Sequence, residues 1–277
     1  MRIRGLLILS FCLLIIAGGS SAMAQTSSEQ ASLNTVTAPV DGAKKARELL
    51  DRMIAALGGQ AFLDYTARSE QGRVYSFYQG RPNGSGTEFR YFWQAPDKDR
   101  TEIGKKRDVV RVHNGDKGYE ITYKGTAALG KEEMRDYLRS YAHSMNVVLR
   151  QWLKEPGTVL LYAGTGIADN RMTEQITMLN AKDESVTIAV DPTSYLPVRK
   201  SFVYRDPVDN LKSEETETYG NYRPQQGLMT AHTIVRSKNG EMVAQRFLTK
   251  VEYNQPLNAS LFDASVTYDP ASHQRKR

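Results

Sequence analysis

The chain has 277 residues and a formal net charge of +6. That length supports one domain with a sizeable core, and a positive charge so mild and scattered does not describe a nucleic-acid binder. The single cysteine, Cys12, lies in an apolar N-terminal run, so the rest of the chain has no thiol nucleophile, no cysteine-ligated metal site and no disulfide.

Arg2 and Arg4 precede the apolar run Gly5 to Ala17, and Ala22-Met23-Ala24 has the small-x-small form of a cleavage site. Residues 1–24 read as a secretory signal peptide. The run is too short for a membrane anchor, which needs ~20 residues. Phe11 fills the place before Cys12 where a lipid-acceptor cysteine requires a small residue. Cleavage near Ala24 predicts a periplasmic or secreted protein beginning at Gln25. Two of the six positive charges leave with the leader. An oxidising compartment without cysteines leaves stability to the core.

Residues 25–40, rich in Ser, Thr, Gln and Ala, read as a flexible lead-in. Asp41 is an N-cap residue type. Ala43, Ala46, Leu50, Met53, Ile54 and Leu57 follow at helical spacing, and Gly58-Gly59 supply a C-cap. From Ser69 the pattern changes to strands. "RVYSFYQG" and "TEFRYFWQ" flank "RPNGSG" as a hairpin, and "DVVRVHNGDKGYEITY" is a second hairpin turning at Asn114-Gly115. Between them "DKDRTEIGKKRD", with its basic end at Lys105, Lys106 and Arg107, reads as a solvated, mixed-charge turn, the alternative being a contact with headgroups or a partner. One long amphipathic helix is predicted from about Lys131 to Lys154. Its apolar face holds Met134, Tyr137, Leu138, Tyr141, Met145, Val148, Leu149 and Trp152, with Glu132, Arg135, Arg139 and Arg150 off that face. Pro156-Gly157 stops it. Seven strand patterns then follow one another, from "TVLLYAG" to "VAQRFLTKVEY". Short turns join them, as an antiparallel meander requires. The total is roughly ten strands. A sheet that wide tends to curl, and the two helices are available to cover its concave face.

Catalytic signals are weak. His113, His143, His232 and His273 lack metal-ligand spacing and read as isolated surface or half-buried residues; H-E-x-x-H and G-x-S-x-G are absent. In "KSEETETYG" Glu215 and Glu217 share one strand face and Glu214 and Thr216 the other; they read as a solvated outer face rather than an acid–base pair. Asn83-Gly84-Ser85-Gly86 has no following helix to make a phosphate cradle. No cofactor and no metal are expected. What remains is apolar surface between helix and sheet. The candidate cavity lining is Trp93, Tyr137, Tyr141, Met145, Leu149 and Trp152. The alternative is that this face is ordinary core.

The terminal stretches "DPTSYLPVRKSFVYRD", "YGNYRPQQGLMTAHTIVRS" and "FLTKVEYNQPLNASLFD" carry a resemblance. Asp191 and Leu196-Pro197-Val198-Arg199, then Tyr219, Tyr222 and Gly227, then Asn254, Leu257 and Phe262, resemble the periplasmic lipoprotein-carrier family. These are the LolA/LolB-like proteins that include outer-membrane lipoprotein-sorting proteins. The resemblance covers most of residues 41–265 and is clearest after Ser185. It implies an unclosed antiparallel β-barrel, a half-barrel, under a helical lid, with acyl chains held in an apolar cavity. No arginine here is matched to the one that helps close the lid in the lipoprotein carrier, and the long helix is larger than the family implies. The expected organisation is a signal peptide (1–24), a lead-in (25–40), the half-barrel domain (41–265) and a polar tail (266–277). The expected function is a non-enzymatic periplasmic carrier or binder of lipid or acylated lipoprotein, served by a membrane-protein donor and acceptor. The alternative is a periplasmic sensor or scaffold that binds a protein partner on the same fold.

Overall fold

The computed structural model describes residues 39–268. The predicted leader with Cys12 and its cleavage site, nearly all of the lead-in, and His273 with the rest of the tail lie outside the described residues.

The first helix, α1 (Pro39–Leu57), starts two residues before the predicted cap and carries Asp41 in its first turn. Ala46, Leu49, Leu50, Met53 and Leu57 form its buried stripe. The backbone N–H of Gly59 bonds Ile54 O at 2.8 Å, with φ near +60° at Gly59 and +128° at Gly58. That left-handed exit suits glycine. It also brings the helix end onto the sheet, since a Cβ on Gly58 would lie 2.6 Å from Leu228 Cδ2. The short α2 (Gln60–Asp64) follows.

Seven strands come next: β1 (Ala67–Tyr78), β2 (Arg81–Pro82), β3 (Thr87–Gln94), β4 (Lys98–Ile103), β5 (Val109–Asn114), β6 (Lys117–Thr122) and β7 (Gly125–Ala128). A helical segment interrupts them, with α3 (Lys131–Ala142), α4 (Met145–Arg150) and a 3₁₀ turn, Trp152–Lys154. Seven more strands complete the sheet: β8 (Val159–Ala168), β9 (Arg171–Leu179), β10 (Ser185–Val190), β11 (Pro197–Arg205), β12 (Lys212–Gln225), β13 (Leu228–Lys238) and β14 (Glu241–Tyr253).

The strands make one antiparallel sheet in the order β7-β6-β5-β4-β3-β1-β14-β13-β12-β11-β10-β9-β8, with β2 beside β1. β1 and β14 therefore pair at the centre, and two meanders run outward from them to the edges β7 and β8. The sheet is not closed into a barrel. This is the open half-barrel under helices that the resemblance implies. The segment from α3 to the 3₁₀ turn is the connection between the two edges. α1, α4 and the 3₁₀ turn pack on β9, β10 and β11 through Met53, Val148, Leu149, Trp152, Ile176, Met178 and Ile188. A second cluster joins Tyr65 and Trp93 to Leu248, Val251 and Tyr253. Phe262, in a closing 3₁₀ turn (Ala259–Phe262), packs with Val110 and Val112.

Three expectations change. The predicted turn "DKDRTEIGKKRD" contains β4, whose Asp99 and Glu102 are buried. Their charges hid a strand, because each is paired: Asp99 with His113 at 2.9 Å and Glu102 with Arg100 at 2.9 Å. The fourteen strands exceed the roughly ten predicted because β4 was hidden in that stretch and β2 and β7 are too short to show a pattern. The long helix breaks at His143 and Ser144. Ser144 leaves the helical region (ψ 150°), and its Oγ accepts the N–H of Val147 to cap α4. The His143 ring is stacked on Phe202 at 4.2 Å, a tertiary contact the periodicity does not register. Arg139 and Arg150 turn inward rather than lying off the packed face.

At the central seam Gly72 follows a register shift between β1 and β14. A Cβ there would lie 2.1 Å from Phe247 O, so the strands can approach only over glycine. Gly72→Ala is expected to destabilise the fold by about 1–3 kcal/mol through overpacking, read as a lowered urea midpoint. A wild-type midpoint would show that the seam yields without strain.

Candidate functional site

Register builds the site. Tyr253 on β14, Arg68 on β1, Trp93 on β3, Asp99 on β4 and His113 on β5 are successive cross-strand partners. They form one row across five strands on the face beneath the helices. The next row holds Val251, Glu70, Tyr91 and Thr101. Tyr65, at the turn from α2 into β1, packs edge-on against Trp93 at 5.6 Å and Tyr253 at 5.0 Å. Arg150 of α4 fastens that turn. It donates to Leu63 O at 2.8 Å and Tyr65 O at 2.6 Å, and its guanidinium lies over the Tyr65 ring.

A cavity of about 220 Å³ opens over these rows. Arg68, Glu70, Tyr91, Trp93, Arg246 and Tyr253 line one side, and Glu217, Tyr219 and Tyr222 of β12 with Thr230, Ala231 and Ile234 of β13 line another. Leu57, Phe62, Tyr65, Tyr141, Met145 and Asn146 cover it.

Its charges are paired among themselves. Arg68 contacts Glu70, Arg246 lies 3.6 Å from Glu70, and the buried Lys200 lies 3.0 Å from Glu217. Burial disfavours the Glu217 carboxylate, but Lys200, Arg246 and the Tyr219 hydroxyl outweigh it and hold its pKa down at about 2. Burial lowers the Arg68 pKa, and the Glu70 carboxylate more than offsets it, so the guanidinium stays charged. Burial pushes Tyr91 and Tyr219 well above the usual phenol range, with nearby carboxylates adding to it. Four hydroxyls are committed: Tyr65 donates to Asn146, Tyr141 to Pro96 O, Tyr219 to Glu217 and Tyr222 to Pro197 O. Such a cavity offers aromatic faces to an apolar chain and fixed polar groups to its end.

Of the predicted cavity residues, Trp93, Tyr141 and Met145 line this space. Leu149 and Trp152 are buried in the core against β9, β10 and β11. Tyr137 stands at the end of the row, stacked on His113 at 3.6 Å and donating to Asp99 at 2.5 Å. Arg68, Glu70, Tyr91, Glu217 and Arg246 were not foreseen. The one available signal was the i, i+2 spacing of Arg68 and Glu70, which places both on one strand face.

Two sequence expectations are corrected. Glu215 and Glu217 do not form a solvated face: Glu215 is 5% exposed. Arg139 and Ser140 of α3 and Arg236 of β13 close on Glu215, while Lys200 holds Glu217. His113, His143 and His232 are neither surface nor half-buried; all three are buried. His113 is held by Asp99, His143 by Phe202 and Arg139 O, and His232 by Thr230 O. Among the described residues no three His, Cys, Asp or Glu side chains gather as a metal site.

No protein-family model and no curated protein matches the chain. Its fold is similar to two crystal structures. One is a DUF1329 family protein from Desulfovibrio piger, at TM-score 0.55 and 12% identity over 80% of this chain and 97% of that one. The other is a putative outer membrane lipoprotein-sorting protein domain from Vibrio parahaemolyticus, at TM-score 0.51 and 10% identity over the same shares. At such identities the likeness is one of fold, and it agrees with the LolA-like resemblance of the sequence.

Glu217 sets an acid dependence. Its pKa is about 2 in the fold against an ordinary 4.5. Its contribution is therefore complete above pH ~4.5 and is lost as pH falls toward 2. Glu217→Gln is expected to destabilise by about 3 kcal/mol at pH 7, because Lys200, 2% exposed, loses its partner. The gap to wild type should narrow between pH 4.5 and 2. Urea midpoints of both proteins at pH 7, 4.5 and 3 measure it. A gap that stays constant would assign the acid limb to another group.

Proposed function

We propose that the protein is a non-enzymatic carrier or binder of lipid or acylated lipoprotein. It acts in the periplasm once the leader is removed near Ala24, and it exchanges cargo with membrane-protein partners. The observation that carries this reading is the aromatic cavity between the helical cover and the sheet. The fold supports it, being similar to that of a putative outer membrane lipoprotein-sorting domain. Burial of an acyl chain supplies about 0.8 kcal/mol per CH₂, enough for affinity without charge recognition. At about 220 Å³ the cavity is smaller than the ~300 Å³ and upward of small-molecule pockets. It takes the end of one chain. More requires movement of α3, which has no buried residue and is held by polar contacts.

One observation favours a second reading, a sensor or scaffold for a protein partner. Among the described residues the long edge strand β8 pairs only with β9. It exposes Val159, Leu161 and Ile167, the last at 67%. Such an edge accepts an added strand.

Ala231, the cross-strand partner of Tyr222 on the cavity wall, allows a direct test. Ala231→Trp is expected to fill the space and weaken lipid uptake at least tenfold, about 1.4 kcal/mol, with the circular dichroism spectrum unchanged. Native mass spectrometry of the protein from its own compartment reads the bound lipid. Uptake equal to wild type, or a protein that arrives empty and takes up no lipid, would move the assignment to the partner-binding edge.

A further inference from the structure

The other face of the sheet holds a separate hollow. Gln71 on β1, Arg90 on β3 and Glu102 on β4 are successive cross-strand partners, one residue on from the row of Glu70, Tyr91 and Thr101. Neighbouring residues of a strand point to opposite faces, so this row lies on the side away from the helices. The next pair on that side is Arg73 with Glu88. The turn from β4 into β5 adds Gly104, Lys105 and Arg107, and together these residues surround a space of about 280 Å³. Four cationic side chains and two carboxylates line it. Glu102 is buried and already held by Arg100 at 2.9 Å and Arg107 at 3.2 Å, and Glu88 lies 3.6 Å from Arg73. Arg90 and Lys105 are exposed, and among the described residues neither side chain has an ion pair or a hydrogen bond. Asp108 of the same turn lines a neighbouring hollow with Lys106. The surplus charge of the space is therefore positive, and two of its cations are uncommitted.

We propose that this hollow binds the phosphate ester of an anionic phospholipid headgroup, through Arg90 and Lys105 with Arg73 and Arg107 beside them. Guanidinium groups match phosphate oxygens in paired hydrogen bonds, and a lysine adds a point charge. One arginine satisfies a carboxylate, whereas cations drawn from three elements around one space suit a group with oxygens on several sides. Phe247 is the cross-strand partner of Arg73 on the same face, is 39% exposed and packs edge-on against Tyr75 at 5.8 Å. An apolar ring beside uncommitted cations is the composition of a surface that rests on headgroups, and it favours a membrane lipid over a soluble phosphate ester. The hollow is distinct from the aromatic cavity, on the opposite side of the sheet, and the proposal does not depend on what that cavity holds.

The test floats the chain from Gln25 with vesicles of phosphatidylcholine alone, or of phosphatidylcholine with phosphatidylglycerol. Glycerol 3-phosphate, a soluble ester of the same group, is titrated calorimetrically in parallel. The expected result is flotation with the phosphatidylglycerol vesicles only. Arg90→Gln with Lys105→Gln should weaken that binding about thirtyfold, the increment of two basic residues at an anionic surface. The urea midpoint should stay at wild type, because neither side chain is bonded within the fold. Lys44→Gln with Lys154→Gln removes the same charge from exposed positions on the helical side and should leave vesicle binding near wild type. Equal losses in the two double variants would reduce the effect to net charge and overturn the site. Glycerol 3-phosphate binding without vesicle binding would overturn the headgroup as the source of the phosphate. Binding of neither would overturn the proposal outright, and that result needs no variant to fold. The carrier reading rests on the aromatic cavity and stands in each case.

Discussion

The pairing of β1 with β14 is the constraint on which everything else depends. It joins the first long strand to the last through nine residue pairs, from Arg68 with Tyr253 to Ser76 with Ala244. Every other neighbouring pair along the sheet is sequence-adjacent, except that β3 meets β1 past the short β2. The seam alone turns two separate meanders into one sheet wide enough to curl. It is also the most non-local contact in the sheet, so its loop-closure entropy must be met before it forms. The cavity sits on this seam. Arg68, Glu70, Arg246 and Tyr253 all come from the two seam strands.

The helical cover is divided in kind. α4 carries Val147, Val148 and Leu149 into the core. α3 has no fully buried residue: Tyr141 packs against the core clusters at their margin, and the helix is fastened by Tyr137 to Asp99 and by Arg139 and Ser140 to Glu215. Apolar burial is non-directional, whereas these polar contacts hold only in one geometry. Buried ion pairs of this sort add little net stability against well-packed apolar residues. Their effect here is to set where α3 rests. The break at Ser144 separates the two halves of the cover.

Much of the fold is legible in the sequence, and the reasons are local. Leu50, Met53 and Leu57 announce α1, and Gly58-Gly59 end it, because periodicity and a left-handed cap are properties of short windows. The alternation of Val186, Ile188 and Val190 does the same for β10. The strand β4 is not legible: Asp99 and Glu102 read as solvent-facing until His113 and Arg100 are brought to them from elsewhere. The site fails for the same reason. Trp93, Tyr141 and Met145 are visible as large apolar residues, but Arg68, Glu217 and Arg246 gain meaning only from register, and register depends on the seam. Leu149 and Trp152 show the reverse error, since apolar periodicity does not distinguish a cavity wall from a filled core.

The seam also fixes how the protein answers to force. Arg68 near the start of β1 lies opposite Tyr253 at the end of β14, so the chain enters and leaves the sheet at the same rung. Tension between the two chain ends, once α1 and the closing segment have been stripped, bears on that rung alone. The pair then opens like a zipper, one rung at a time, instead of resisting as nine rungs loaded in shear. A pulling force applied between the two ends meets the sheet at its weakest mechanical axis. The first rung it breaks is the Arg68 rung that also holds the cavity wall.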